Sequence, residues 1–330
     1  MKGQGAVGNP ERELMDSRRG SVPRIKTTRS LRVAALAALV MLTATGCSGE
    51  EILRFGWPVG VTPQARDMQT LWTWTVIAAL AVGVIVWALI FWTAIFHRKK
   101  KTADGAEEEL PRQFQYNIPL EIFTVVVPTI MVCVLFFFTA TTENRVLAET
   151  DNPDVTVDIV AFQWNWEFKY KSDSKNHDDP EITTVGSSTE IPLLVLPTNK
   201  TIQYNLRSAD VIHSFWVPEF NFKRDVMPDP EKNNQDFTFQ NLIDKEGSFV
   251  GRCAELCGTY HSGMNFEVRA LSPDKYAQYI QLRGTVNPKS GKPNTASEAL
   301  TAMNCGELCS PYAVTTTPFN TDRTARVASN

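Results

Sequence analysis

Two thiols, an imidazole and a thioether fall within twelve residues of this chain, in Cys253-Ala-Glu255-Leu-Cys257-Gly-Thr-Tyr-His261-Ser-Gly-Met264. A second imidazole, His213, lies 40 residues upstream in Asp210-Val-Ile-His213-Ser-Phe-Trp216. The 330-residue chain has only four histidines and six cysteines, so this constellation draws heavily on a small supply. Soft thiolate and thioether donors favour copper, zinc or iron–sulfur centres. A mononuclear blue-copper site uses one cysteine, two histidines and a weak axial methionine, which here leaves one thiolate over. Its economical use is to bridge two copper ions, each capped by one histidine, with Met264 and a loop carbonyl as weak axial donors. Three other readings compete. A Cys253–Cys257 disulfide leaves His213, His261 and Met264 without a role. A Cys2His2 zinc site is sound chemistry but does not use Met264. A cysteine nucleophile with a histidine base gives the second thiol nothing to do.

Ligands this far apart in sequence need a rigid scaffold. After Glu143, short β-type runs at 155–162, 191–196, 201–206, 211–217, 237–242, 248–252 and 264–270 alternate with turn formers such as Asn152-Pro153 and Pro228-Asp-Pro230. That pattern predicts an all-β sandwich or barrel, followed by one short helix over 273–283. Residues 284–297 are rich in Gly, Pro, Ser, Asn and Lys, and 284–330 read as a linker and tail. Residues 143–330 carry 25 acidic against 18 basic side chains, while the whole chain nets −3. A near-neutral chain with an acidic second half is not a general nucleic-acid binder.

The front of the chain reads as membrane machinery. Arg24, Lys26, Arg29 and Arg32 precede fourteen uncharged residues, 33–46, whose closing Thr-Gly is followed by Cys47. A basic region, a short apolar core and small residues before a cleavage point describe a secretory signal over 1–46. The small residues before Cys47 resemble a bacterial lipobox, with Cys47 as the lipidated mature N-terminus; Ala44 stands where leucine is usual. An exported segment, 47–70, precedes two uncharged runs, Leu71–Phe96 and Ile122–Thr142. Each is long enough to span a bilayer, predicting a transmembrane hairpin over 71–142 with spans at 71–96 and 118–142. The basic run His97-Arg-Lys-Lys-Lys101 marks the hairpin loop as cytoplasmic, leaving both outer ends exported. Glu121 opens the second span, where a carboxylate either caps the helix or serves function at membrane depth.

The cysteine loop, the remote His-Ser-Phe-Trp, the aromatic Gln163-Trp164-Asn-Trp166 and the preceding hairpin together resemble subunit II of the haem–copper cytochrome c oxidases. The resemblance covers roughly residues 50–283. Cys47 and Leu53-Arg-Phe-Gly-Trp-Pro58 make it closest to the actinobacterial lipoprotein forms. It implies a cupredoxin-like Greek-key β-sandwich over 143–283 carrying a binuclear copper A centre. The ligands implied are His213, Cys253, Cys257, His261 and Met264, with the Glu255 backbone carbonyl; the Glu255 side chain reaches a magnesium ion shared with subunit I. Trp164 matches the tryptophan through which the electron arrives. Glu121 matches the carboxylate at the mouth of a proton channel into subunit I, although Thr124 replaces a tryptophan common nearby. Implied partners are oxidase subunits I and III, membrane lipids and a c-type cytochrome, in actinobacterial forms the tethered cytochrome of a bc complex. The place implied is the bacterial plasma membrane with the copper domain outside. The task implied is to pass electrons to haem a in subunit I for proton-pumping oxygen reduction.

Two alternatives use fewer of these features. An exported lipoprotein with a zinc- or disulfide-stapled β-domain would only bind partners. A quinol-oxidase subunit normally lacks the cysteines and Met264. Cys305-Gly-Glu-Leu-Cys309 echoes the metal loop, but no His or Met follows at matching spacing. In an oxidising compartment it reads as a disulfide or a pair of thiols. Cys133, inside the second span, reads as packing.

Overall fold

The computed structural model describes residues 54–98, 113–171 and 182–316, together with Leu36. Cys47 and, Leu36 apart, the expected signal segment lie outside the described residues. Thr62 and Pro63 set the start of the first helix. The Thr62 hydroxyl accepts from Ala65 N at 3.0 Å, and proline, with no N–H to satisfy, takes the first helical position. Helix α1 runs Pro63–Phe96 and α2 runs Ile118–Val146, 34 and 29 residues. Both are long and apolar enough to cross a membrane. Their apolar side chains are exposed on all sides, as expected of helices whose solvent is lipid or a partner.

The hairpin is fixed to the β-domain at one end. Val61 N donates to Glu219 O and Asp244 N donates to Val61 O, both at 3.0 Å. Arg66 pairs with Asp244, and Arg145 near the end of α2 lies 3.3 Å from Asp67 at the start of α1. The first turn of α1 and the last of α2 therefore share one side of the hairpin.

Ten strands form two five-stranded sheets. The first sheet contains β1 (Val155–Phe162), β2 (Asn165–Tyr170), β3 (Ile182–Val185), β5 (Thr201–Ser208) and β8 (Thr238–Leu242), in the order β3-β2-β1-β5-β8. The second contains β4 (Leu193–Pro197), β6 (His213–Val217), β7 (Phe222–Val226), β9 (Gly247–Cys253) and β10 (Asn265–Leu271), in the order β4-β10-β9-β6-β7. Strand β1 buries every second residue, Val157, Ile159 and Ala161, as a strand with one covered face must. Between the sheets lies an aromatic core. The Phe215 and Phe266 rings stack at 4.7 Å, and Trp166 meets Phe266 edge-on at 5.1 Å. The fold is the two-helix and β-sandwich arrangement anticipated above.

Strands β4 and β10 are buried at every position. Their second face is covered by α3 (Pro273–Gly284) and α4 (Ala296–Met303), which enclose Leu193, Val195, Leu271, Tyr279 and Leu300 in a separate core. This corrects the expectation of a linker and tail after residue 284: residues 295–316 are folded onto the second sheet. The polar composition of 284–295 hid α4, which is only eight residues long and starts on a Thr295–Glu298 capping box. Strands β2, β3 and β7 were also absent from the sequence reading.

Strands β9 and β10 pair with Gly251 opposite Phe266, whose ring lies over the glycine and leaves no room for a side chain. A Cβ there would lie 2.1 Å from the Phe266 ring. Gly251→Ala is therefore expected to destabilise the domain by about 1–3 kcal/mol, seen as a lower thermal midpoint. Adding Phe266→Leu should recover part of the loss. An unchanged midpoint in the single variant would contradict the close packing of β9 on β10.

Candidate metal centre

Strand pairing brings the two halves of the constellation together. Strands β6 and β9 are antiparallel neighbours with Phe215 opposite Cys253, and Ala254 N continues the ladder to Ser214 O at 3.1 Å. His213, first residue of β6, is thereby set beside Cys253, last residue of β9. The loop then turns back on itself. Cys253 N donates to Met264 O at 3.2 Å, and a 3-10 turn over His261–Gly263 aims His261 inward.

The ligand atoms converge. Cys253 Sγ lies 3.8 Å from Cys257 Sγ, 3.8 Å from His213 Nδ1 and 3.2 Å from Glu255 O. Cys257 Sγ lies 3.6 Å from His261 Nδ1 and 3.8 Å from Met264 Sδ. Each thiol thus has one histidine, and each has one weaker donor, a carbonyl or a thioether. His213, Cys253 and Cys257 form a buried cluster whose ligand atoms all lie within 4.8 Å of one another. Neither cysteine is in a disulfide. Burial, together with the neighbouring Cys253, pushes the Cys257 thiol up to about 12. A metal binding there must displace the proton that the Cys257 thiol otherwise holds.

The surroundings fix the ligands. His213 is fully buried, and its Nε2 is 2.8 Å from Asp210 Oδ1, which leaves Nδ1 free to face Cys253. A carboxylate on the far nitrogen of a ligating histidine sets its ring orientation. Burial works to raise the Asp210 pKa, but hydrogen bonds from His213 and from the Gln163 and Val211 amides outweigh it and hold the carboxylate below its ordinary range. The Trp166 indole donates to Met264 O at 3.3 Å, tying the hydrophobic core to the loop. Asp210 and Trp166 stood in the quoted sequence without a role. The available signal was the aspartate three residues before His213.

Trp164 sits in the turn between β1 and β2, half-buried against the loop. Its indole N–H donates to Cys257 O at 3.0 Å, and its ring meets Tyr260 edge-on at 5.0 Å. Gln163 Nε2 donates to the same carbonyl at 2.9 Å. Gly258, at φ +113°, permits this approach: a Cβ would stand 3.3 Å from both side chains. Glu255 and Leu256 form the exposed apex of the loop. Glu121 is far from this cluster in sequence, in the first turn of α2, where its carboxylate accepts from Asn117 N at 3.0 Å. Cys133 is exposed on α2, and Cys305 and Cys309 form a disulfide.

The family described as "Cytochrome C oxidase subunit II, periplasmic domain" matches residues 155–271, which span β1 to β10. The chain is 48% identical to the probable cytochrome c oxidase subunit 2 of Nocardia farcinica, over 91% of each chain. It is 45% identical to cytochrome c oxidase subunit 2 of Mycobacterium bovis, over 92% of this chain and 93% of that one. The periplasmic domain of subunit II (CoxB) of Bradyrhizobium japonicum is 26% identical, covering 40% of this chain and 95% of its own, with a TM-score of 0.33. At such identity over nine-tenths of both lengths, the chain belongs to the cytochrome c oxidase subunit II family.

Proposed function

We propose that this chain carries a binuclear copper A centre that receives electrons from a c-type cytochrome and hands them to haem a in subunit I. The observation that carries the proposal is the paired donor set: two thiols 3.8 Å apart, each with its own imidazole and its own weak donor. Soft sulfur donors with imidazole suit copper. When bound, a copper pair would supply a one-electron carrier at this site. The Cys253 and Cys257 sulfurs would hold it together with the His213 and His261 imidazoles, and Met264 and the Glu255 carbonyl would be the weaker donors. The buried donors exclude water, and Asp210 holds the His213 ring in place.

Trp164 offers a partly exposed indole that is hydrogen-bonded to the main chain of Cys257, a covalent route to a bridging sulfur. The acidic exported half suits encounter with a basic cytochrome. At the loop apex Leu256 is 77% exposed beside the Glu255 carboxylate. An exposed leucine next to an acid fits a face covered by subunit I, with Glu255 reaching a shared magnesium ion. The hairpin, spanning the membrane with its basic loop inside, would hold the β-domain on the outer surface. Glu121 on α2 would take protons from the cytoplasm toward subunit I. Cys47 would add a lipid anchor.

Metal analysis of the full chain should find two coppers and no zinc. Cys253→Ser or Cys257→Ser should abolish copper binding, because a hydroxyl cannot replace a bridging thiolate. Met264→Leu should keep both coppers and shift the reduction potential. One zinc per chain, or full copper loading in Cys257→Ser, would contradict the proposal.

Trp164→Phe is expected to slow reduction of the copper site by the donor cytochrome by about 10-fold or more, a loss of at least ~1.4 kcal/mol in barrier terms, with copper content unchanged. Reduced copper content, with a normal transfer rate in the molecules that keep copper, would make Trp164 a core residue instead. In the assembled oxidase, Glu121→Gln should slow steady-state oxygen reduction while leaving copper reduction intact. Normal turnover from about pH 6 to 9 would leave Glu121 as a helix cap held by Asn117.

A further inference from the structure

Arg269 and Glu267 on β10 form an ion pair with both side chains fully buried, Arg269 Nε to Glu267 Oε1 at 2.5 Å. Burying two charges costs more than their mutual attraction returns unless their remaining donors and acceptors are also satisfied. Here the C-terminal segment satisfies them. Arg269 Nη1 donates to the carbonyls of Glu307 at 3.1 Å, Leu308 at 2.9 Å and Ser310 at 3.3 Å, and Nη2 donates to Tyr312 O at 2.6 Å. On the other side Glu267 Oε2 accepts from Val314 N at 2.9 Å, Thr315 N at 2.7 Å and the Thr315 hydroxyl at 2.6 Å. One segment of chain thus encloses both charges, and it has no strand of its own to hold it there.

What shapes that segment is the Cys305–Cys309 disulfide. It closes the 3-10 turn Gly306–Cys309, from which two of the four carbonyls on Arg269 project. The turn is entered through two left-handed residues of the types that take that backbone most readily, Asn304 at φ +46°, which caps α4, and Gly306 at φ +77°. Opening the ring would free this turn to leave its 3-10 form and withdraw acceptors from a guanidinium that is fully buried.

We propose that Cys305 and Cys309 are a reversible thiol–disulfide site, whose oxidised form seals the C-terminal segment over the buried Arg269–Glu267 pair on the strand leading out of the metal loop. The substrate class is a dithiol reductant. Cys309 is buried and Cys305 is the more exposed of the two, so Cys305 Sγ is the sulfur an external thiolate would meet first. Attack forms a mixed disulfide and releases Cys309 as a thiolate, which takes a proton. The second thiol of the reductant then displaces Cys305, leaving the reductant as a disulfide and the protein with two thiols. Two electrons and two protons pass from the dithiol to the cysteine pair. In the reduced form the segment lifts, and water reaches the ion pair and the apolar outer face of the second sheet.

The test compares the full chain with its Cys305→Ser/Cys309→Ser variant, and the untreated chain with the chain after treatment with a small dithiol, by amide hydrogen exchange and thermal unfolding. Val314 and Thr315, whose amides donate to Glu267, should exchange about 10-fold faster or more once the ring is open. The thermal midpoint should fall by roughly 5 °C. In a Glu267→Gln/Arg269→Met background, opening the ring should move the midpoint far less, because the two features act as one unit. Unchanged exchange at Val314 and Thr315 after reduction would overturn the proposal without reference to any variant. Equal midpoint shifts in the two backgrounds would overturn it too, since the disulfide would then act on chain entropy alone.

Discussion

The pairing of β6 with β9 is the contact on which the site depends. Setting Phe215 opposite Cys253 places His213 against the first thiol, and no local sequence preference could do so across 40 residues. The ladder is held from behind by the stack of Phe215 on Phe266 and by Trp166, which also reaches the loop through Met264 O. Weakening the core and loosening the ligands are therefore the same event. Rigid elements with locked rotamers are what a site needs when its geometry must not relax as an electron comes and goes.

Burial does the second part of the work. His213, Cys257 and Met264 are almost wholly shielded, and burial raises the Cys257 thiol so that it holds its proton near neutrality. A metal held by Cys253 and Cys257 would need them as thiolates, and its binding energy would become part of the stability of the domain. The exposed parts of the loop divide by chemistry. The Trp164–Tyr260 edge offers aromatic surface hydrogen-bonded to the ligand backbone, and the Glu255–Leu256 apex offers an acid and an apolar side chain.

Much of this was legible before any coordinates. The CAELCGTYHSGM loop and the DVIHSFW segment carry the ligand types at their spacing, and the alternation of Val155–Phe162 was a strand on inspection. Strand β2 was not, because its aromatic residues drew attention as chemistry while Trp166 and Phe168 are core. Strand β7 is short, charged and at a sheet edge, so it lacks an apolar signal. The C-terminal layer was hidden for a different reason. Its anchor is Arg269 beside Glu267, charges that sequence habit assigns to the surface, and their burial depends on carbonyls 38 to 43 residues away. Nothing in a local pattern predicts that closure. Asp210, three residues before His213, was in plain view and unassigned, since its role is defined by where His213 points.

Electron paramagnetic resonance of the copper-loaded full chain in its oxidised, mixed-valence state, one electron short of two cuprous ions, tests the central claim most directly. Two coppers bridged by Cys253 and Cys257 and capped alike by His213 and His261 should share the unpaired electron equally, giving a seven-line hyperfine pattern from two equivalent copper nuclei. A four-line pattern from a single copper, or a silent spectrum with zinc in the site, would contradict the account.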